Sequence, residues 1–204
     1  MKKLAIVGAS GHGKVVAEIA ELNGWAVCFF DDAFPSLTQL EHWPVVGNTQ
    51  TLIESMEEFS AAFIAIGNNV IRQAKQYSLQ EFGLEFPVLI HPSAQISRYA
   101  TIESGTVVMA GAVINPFAKI GGGCIVNTSA TIDHDCEIND GVHISPGAHL
   151  AGGVKVGSLS WVGIGACVRQ YLTIGEAAMI GAGAVVVSDV VDKTMVKGVP
   201  ARVK

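Results

Sequence analysis

The hydrophobic residues in the second half of the chain recur at a strict interval of six. An aliphatic side chain stands at every sixth position from Ile90 to Val186, and the side chain four residues later is usually small. A period of six is typical of a parallel β-helix built from hexapeptide repeats, in which each coil covers the apolar face of the next. The pattern therefore predicts a solenoid and argues against an ordinary helix or hairpin arrangement.

The first half of the chain has a different pattern, in which short apolar runs alternate with segments of helical spacing. The predicted strands are residues 4–7, 25–30 and 61–66, and the predicted helices are residues 14–23, 51–59 and 70–82. Such alternation is typical of a doubly wound α/β domain with a parallel sheet. Pro87 and Pro92 mark the boundary between the two patterns. We therefore predict a Rossmann-like α/β domain over residues 1–86 and a parallel β-helix over residues 87–204.

Composition and charge narrow the classes of function. Half of the residues are hydrophobic and 15% are charged, which is typical of a globular protein with an apolar core. The net charge is −5 and no basic run is present, whereas nucleic-acid binding needs a Lys/Arg surface. No segment approaches the ~18–20 apolar residues that a membrane span requires, and the start of the chain is interpreted as a strand rather than a signal peptide. We expect a cytoplasmic protein with no nucleic-acid partner and no membrane span.

A glycine-rich turn follows the first predicted strand. Residues 8–13 read Gly-Ala-Ser-Gly-His-Gly, a G-x-x-G-x-G spacing that differs from the dinucleotide fingerprint G-x-G-x-x-G. In a strand–turn–helix context, backbone N–H groups at the helix N-terminus face an anion. Asp31 and Asp32 end the second strand, and Gly67 and Asn68 follow the third. Because the carboxyl ends of parallel strands share one edge of a sheet, we predict a ligand site there. The alternative is that these residues form only tight turns and helix caps.

The most polar stretch of the predicted β-helix contains a histidine between two carboxylates. His134 lies between Asp133 and Asp135. A histidine with a carboxylate partner holds one tautomer and acts as a general base near neutral pH. Neighbouring side chains on a flat strand point to opposite faces. Asp135 therefore reaches the imidazole only if the chain bends at this point.

Besides catalysis with His134 as general base, two functions are compatible with these residues. His134, His143 and His149 lie in one solenoid, which allows a metal-dependent hydratase of the γ-carbonic-anhydrase type. Zinc needs three or four ligands in a tetrahedral array, and the intervals of nine and six residues between these histidines do not match that family, so we predict no metal. The second alternative is a non-catalytic scaffold that binds a nucleotide sugar.

In combination, the motifs resemble the NeuD/PglD-type bacterial sugar acetyltransferases. The motifs are G-A-S-G-H-G at 8–13, D-D at 31–32, I-A-I-G-N-N at 64–69, N-T-S at 127–129, the His-acid pair at 134–135 and G-V-P-A at 198–201. The resemblance covers essentially the whole chain and implies a left-handed β-helix and a homotrimer with active sites between subunits. It implies acetyl-CoA-dependent N-acetylation of a UDP-4-amino-4,6-dideoxy sugar. O-acetylation of a sialic acid or another sugar is the alternative within the same fold.

The resemblance also assigns residues to the nucleotide-sugar site. It places Asp31 and Asp32 on the uridine part of the ligand. The whole set that it implies for substrate binding is Ser10, Gly11, His12, Asp31, Asp32, Gly67 and Asn68.

The catalytic and coenzyme residues come from the β-helix. By the same resemblance, His134 is the general base, Asp135 raises its basicity, and Asn127 positions His134 or the acceptor. The residues implied for acetyl-CoA binding are His143, Gly152, Ile164 and Ala182. The implied reaction is direct transfer of the acetyl group, with no metal and no covalent enzyme intermediate.

Overall fold

A computed structural model describes residues 2–204 of the chain. Met1, the first residue of the predicted N-terminal domain, lies outside the described residues. The chain divides into two units, of which the first ends at Leu89 and the second begins at Ile90. This division falls shortly after the boundary predicted between residues 86 and 87. None of the helices in residues 2–204 is both long enough and apolar enough to cross a membrane.

The first unit is an α/β domain with a five-stranded sheet. Its elements are β1 (Lys3–Val7), α1 (Gly11–Leu22), β2 (Ala26–Phe30), β3 (Gln39–Leu40), β4 (Trp43–Gly47), α2 (Thr49–Glu54), a 3₁₀ turn (Met56–Glu58), β5 (Ala61–Ile64) and α3 (Asn69–Glu81). The strand order is β3-β4-β2-β1-β5, and only the β3–β4 pair is antiparallel. Strand β2 therefore lies on one side of β1 and β5 on the other, so the direction in which strands are added to the sheet reverses at β1. Ligands of open α/β sheets bind at such a switch point.

The elements of this unit differ from the prediction in several places. The predicted helix over residues 51–59 is divided: α2 begins at Thr49, because the Asn48 side chain caps it, and ends at Glu54, and the 3₁₀ turn Met56–Glu58 follows. Helix α1 begins at Gly11 and not at residue 14, so the glycine-rich turn supplies the first turn of the helix. The hairpin of β3 and β4 was not predicted, because Pro44 argues against a strand. Trp43, Val45 and Gly47 are buried in alternation, and this period of two is the signal that could have revealed β4.

The second unit is a parallel β-helix of very short strands that recur every six residues. Its strands are β6 (Leu89–Ile90), β7 (Gln95–Ile96), β8 (Thr101–Ile102), β9 (Val107–Val108), β10 (Val113–Ile114), β11 (Lys119–Ile120), β12 (Ile125–Val126), β13 (Thr131–Ile132), β14 (Glu137–Ile138), β15 (His143–Ile144), β16 (His149–Leu150), β17 (Lys155–Val156), β18 (Trp161–Val162), β19 (Cys167–Val168), β20 (Thr173–Ile174), β21 (Met179–Ile180), β22 (Val185–Val186), β23 (Met195–Lys197) and β24 (Arg202–Val203).

These strands form three sheets, one on each face of the solenoid, in which every pair is parallel except β23–β24. From β6 to β22 every third strand pairs with the next, as in β10–β13–β16, so that paired residues are eighteen positions apart. From β9 to β22 the second residue of each strand points inward, and Ile132, Ile144 and Ile174 are fully buried. Each such side chain contributes about 1.5–3 kcal/mol to the stability of the fold. The hexapeptide period of the sequence is thus the period of the strands.

The corners between the faces also repeat every six residues. Each corner from residue 105 to residue 183 has one residue with a positive φ, three positions after the inward-pointing aliphatic residue. Glycine occupies many of these positions because it has no Cβ to hinder that conformation. Together with the three sheets, the corners are consistent with the left-handed β-helix implied by the resemblance.

Candidate active site

His134 and Asp135 lie at a corner of the β-helix between β13 and β14. Asp135 has a φ of 60°, a left-handed conformation that Asp tolerates better than most side chains. The bend turns the carboxylate back along the chain, and Oδ2 of Asp135 lies 2.8 Å from Nδ1 of His134. The corner therefore provides the bend that a flat strand lacks.

Two carboxylates act on the His134 imidazole. The hydrogen bond with Asp135 is the largest cause that raises the pKa of His134; desolvation, the next largest, lowers it, and the negative charges of Asp133 and Asp135 raise it by less. Asp133 also accepts a hydrogen bond from the backbone N–H of His134 at 2.8 Å and one from Nδ2 of Asn115 at 2.7 Å. Because Nδ1 faces Asp135, Nε2 is the nitrogen left for proton exchange with a substrate. The arrangement suits a general base.

Gly152 lies against the same imidazole, one coil further along the solenoid. A Cβ atom placed on Gly152 would lie 2.5 Å from both Cε1 and Nε2 of His134. The structure thus places this predicted coenzyme residue beside the predicted base.

The other three predicted coenzyme residues line one groove. His143, Ile164 and Ala182 border a groove of about 470 Å³ together with Trp161. The His143 ring lies against the Trp161 ring, with 4.3 Å between their centroids. Nδ2 of Asn127 lies 3.1 Å from Nε2 of His143. Within this chain Asn127 therefore contacts His143 and not the predicted base, because it directly follows β12, whereas the corner with His134 lies between β13 and β14.

The three histidines of the metal alternative do not converge. His143 lies on β15 and His149 on β16, which belong to different sheets, and His134 lies at a corner. Nδ1 of His149 is 2.9 Å from Oγ1 of Thr131. Within residues 2–204, no group of three or more His, Cys, Asp or Glu side chains could hold a metal ion.

In the first unit, the three glycines of the turn after β1 have different roles. A Cβ on Gly8, where φ is 107°, would lie 2.9 Å from the carbonyl oxygen of Ala65, and a Cβ on Gly13 would lie 2.5 Å from that of Gly8. A Cβ on Gly11 would meet no heavy atom within 4 Å. Ser10 is the N-cap of α1, but its side chain makes no capping hydrogen bond. Open space and backbone N–H groups thus meet at the N-terminus of α1, an arrangement that suits an anion.

The two aspartates after β2 are engaged within the protein. Asp31 accepts a hydrogen bond from the backbone N–H of Ala9 at 2.7 Å. Asp32 accepts hydrogen bonds from Thr49 Oγ1 at 2.7 Å and Lys75 Nζ at 2.9 Å. The hydrogen bonds from Thr49 and then Lys75 lower the pKa of Asp32 to about 2. Both aspartates fix loops at the edge of the sheet, and their remaining lone pairs can accept further bonds.

The loop after β5 is fixed by a buried arginine. Arg72 is 1% exposed and donates to the carbonyl oxygens of Ile66 at 3.0 Å and Gly67 at 3.2 Å. Asn68 caps α3 with its side chain. Burial, and then the charge of Arg72, lower the pKa of His12 to about 4. Among the described residues, the buried Nε2 of His12 has no hydrogen-bond partner, so it can bond to a ligand.

The sequence interpretation missed Arg72, Lys75 and Asn115. Asn115 could have been found, because it precedes Asp133 by the eighteen residues of one coil. Arg72 and Lys75 lie in the predicted third helix, where nothing in the sequence distinguishes them from ordinary solvent-exposed cations.

Comparison with known proteins gives consistent matches. Residues 3–79 match the family described as PglD N-terminal domain. A stretch of 114 residues is 39% identical to the UDP-N-acetylbacillosamine N-acetyltransferase of Bacillus subtilis. That stretch covers 54% of this chain and 52% of the relative, so the match spans about half the length of that protein.

Solved structures match over the whole chain. The acetyltransferase domain of PglB from Neisseria gonorrhoeae, in complex with acetyl coenzyme A, is 45% identical with a TM-score of 0.95, covering 100% of this chain and 99% of that one. A mutant of perosamine N-acetyltransferase from Caulobacter crescentus, in complex with CoA and GDP-perosamine, is 37% identical with a TM-score of 0.96, covering 100% of this chain and 97% of that one.

Proposed function

The chain belongs to the PglD-like family of bacterial sugar acetyltransferases, and from that premise we propose that it transfers the acetyl group of acetyl-CoA to the 4-amino group of a UDP-linked 4-amino-4,6-dideoxy sugar. The observation that carries the proposal is the His134–Asp135 pair, with Oδ2 of Asp135 2.8 Å from Nδ1 of His134. A free amine and a thioester react directly once a base removes the amine proton, so the reaction needs no nucleophilic side chain of the enzyme.

In the proposed mechanism, the amine nitrogen attacks the thioester carbonyl carbon and Nε2 of His134 takes the proton from nitrogen. The C–N bond forms, the C–S bond breaks, and CoA leaves as a thiolate, which takes up the proton from the His134 imidazolium and so restores the neutral base. A backbone N–H, or His143 where neighbouring subunits meet in the trimer proposed below, donates to the oxygen on which negative charge develops. Asp135 holds His134 in the tautomer that presents Nε2 and stabilises the imidazolium. Holding both substrates in one cleft supplies much of the rate by proximity.

In this proposal the coenzyme and the nucleotide part of the acceptor are bound by different elements of the chain. The groove bordered by His143, Ile164 and Ala182 binds acetyl-CoA. The open space at Gly11 and the N-terminus of α1 binds the diphosphate of the nucleotide sugar. Related proteins are named for a UDP-linked acceptor or bound to a GDP-linked one. The acceptors tested below therefore include both nucleotides.

The remaining site residues complete the proposal. Ser10, His12, Gly67 and Asn68 contact the nucleotide sugar, and Asp31 and Asp32 orient the loop that meets its uridine. We further propose a homotrimer in which neighbouring subunits complete each active site. Sedimentation equilibrium of the purified chain tests this directly, and a monomer with full turnover would contradict it.

The test of the proposed function is release of CoA thiol from acetyl-CoA in the presence of different acceptors. The panel contains UDP- and GDP-linked 4-amino-4,6-dideoxy sugars, UDP-N-acetylglucosamine as a control without a free amine, and free sialic acid. We expect thiol release with the UDP-linked amino sugar. Release only with sialic acid would replace the proposal by O-acetylation, and no release with any acceptor would overturn it.

A further inference from the structure

The imidazole of His134 has two neighbours that fix its position, and only one of them is a side chain. Asp135 holds Nδ1. The opposite edge of the ring, formed by Cε1 and Nε2, lies over Gly152, where a Cβ atom would be 2.5 Å from both atoms. A Cβ atom does not approach a non-bonded atom this closely, so any residue except glycine at position 152 must displace the ring.

Backbone hydrogen bonds fix the position of residue 152, whichever amino acid stands there. The N–H of Gly153 donates to the carbonyl oxygen of His134 at 2.9 Å, and the N–H of Asp135 donates to that of Pro116 at 3.2 Å. These bonds join His134 to the coil before it and to the coil after it. Relief of a collision between residue 152 and the imidazole by a shift of the coils would disrupt these bonds, whereas rotation of the ring disrupts neither of them.

Rotation of the ring has little cost for the fold. The side chain of His134 is 49% exposed, so the imidazole can turn into solvent. Gly152 does not have a positive φ, so alanine at this position introduces no backbone strain. The cost falls on the geometry of the base, because a rotated ring loses its bond to Asp135 and moves Nε2 away from the acceptor.

We propose that Gly152 is a positioning residue, whose missing side chain leaves the space in which the His134 imidazole is held against Asp135. The catalytic part of this inference rests on the proposed function, in which His134 is the base. Its geometric part rests only on the structure. It gives Gly152 a role distinct from lining the groove of His143, Ile164 and Ala182.

The test compares Gly152→Ala with Gly147→Ala. Gly147 lies at another corner with a φ of +62°, and a Cβ there would meet no heavy atom within 4 Å. Gly147→Ala therefore adds a methyl group, and backbone strain as well, at a corner where it cannot meet the His134 imidazole. NMR of histidine Cε1, with the His134 signal assigned from His134→Ala, follows the titration of the imidazole. We expect the pKa of His134 to fall towards its ordinary 6.5 in Gly152→Ala and to stay in place in Gly147→Ala.

The kinetic arm separates positioning from coenzyme binding. We expect Gly152→Ala to lower kcat by about 10² with an unchanged KM for acetyl-CoA, and to cause no further loss in a His134→Ala background. A raised KM for acetyl-CoA with an unchanged His134 titration would overturn the inference and make Gly152 a coenzyme contact. If the wild-type chain acetylates none of the acceptors, the proposed function fails, and the NMR titration alone still decides the geometric part.

Discussion

The two histidines assigned to the two units lie in opposite environments. His134 is half exposed at a corner of the β-helix, and its bond to Asp135 raises its pKa. His12 lies at the switch point of the α/β domain, where burial and then Arg72 lower its pKa to about 4. The first can exchange a proton near neutral pH, whereas the second stays neutral and can only donate or accept a hydrogen bond. The same residue type thus suits catalysis in one unit and binding in the other.

The two units also build their sites by different means. In the β-helix, residues that meet in space are one coil apart in sequence, as Asp133 and Asn115 are. In the α/β domain, the order of the strands brings together loops from distant parts of the chain, as with Gly8 and Ala65. A substitution in the β-helix should therefore disturb the stacking of neighbouring coils, whereas a substitution in a loop of the α/β domain should disturb only the contacts of that loop.

The largest expected effect comes from a charge inside the solenoid. Ile132 is fully buried in β13, and Ile132→Asp leaves an unpaired charge in an apolar core, which costs several kcal/mol. We expect loss of cooperative unfolding and of folded protein, measured by thermal melting. The control is Thr131→Asp on the outward side of the same strand, which should keep a melting temperature near that of the wild type. Equal melting temperatures for both variants would contradict the assigned register.

A smaller effect on stability is expected in the turn after β1. Gly8→Ala strains a backbone with a φ of 107° and presses on the carbonyl oxygen of Ala65, so it should lower the free energy of unfolding by about 1–3 kcal/mol. Gly11→Ala should leave stability unchanged or raise it by up to about 1 kcal/mol, while it weakens nucleotide-sugar binding because the methyl group enters the open space. Chemical denaturation and calorimetric titration check the two variants. Tight binding by Gly11→Ala would argue against an anion site there.

The pH dependence of kcat tests the role of Asp135. A general base acts when it is neutral, so the rate should fall as the pH drops through the pKa of His134, which lies above 6.5. Asp135→Asn keeps a residue that tolerates the left-handed corner and removes the charge, so the acid limb should move to lower pH and the maximal kcat should fall. Asp133→Asn is the control, because the bond from Asp135 is the largest cause of the shift. A larger displacement in Asp133→Asn would reverse the assignment.

The smallest effect on the pH profile is expected from His12. Its pKa of about 4 means that it is already neutral over the range in which His134 titrates. His12→Gln should therefore raise the KM for the nucleotide sugar and leave the acid limb of kcat in place. An acid limb that moves in His12→Gln would show that the two histidines do not divide their roles as described.

The sequence predicted the β-helix almost completely because its signal is repeated in every coil. Ile132 and Ile144 were placed in the core by the period alone. The hairpin of β3 and β4 was missed, since β3 has only two residues and Pro44 argues against a strand in spite of the period of two around it. The mutual position of the site residues was also beyond the sequence. The contact of Asp135 with His134 depends on a φ of 60°, and that of Gly152 on the stacking of two coils.

The most direct measurement is the turnover of His134→Ala with acetyl-CoA and the nucleotide-linked amino sugar. If His134 is the general base, kcat should fall by at least ~10², with the melting temperature and the KM for acetyl-CoA unchanged. His149→Ala, a second exposed histidine of the same solenoid, should keep the wild-type kcat. Wild-type turnover in His134→Ala would contradict the account, because it would show that His134 is not the general base.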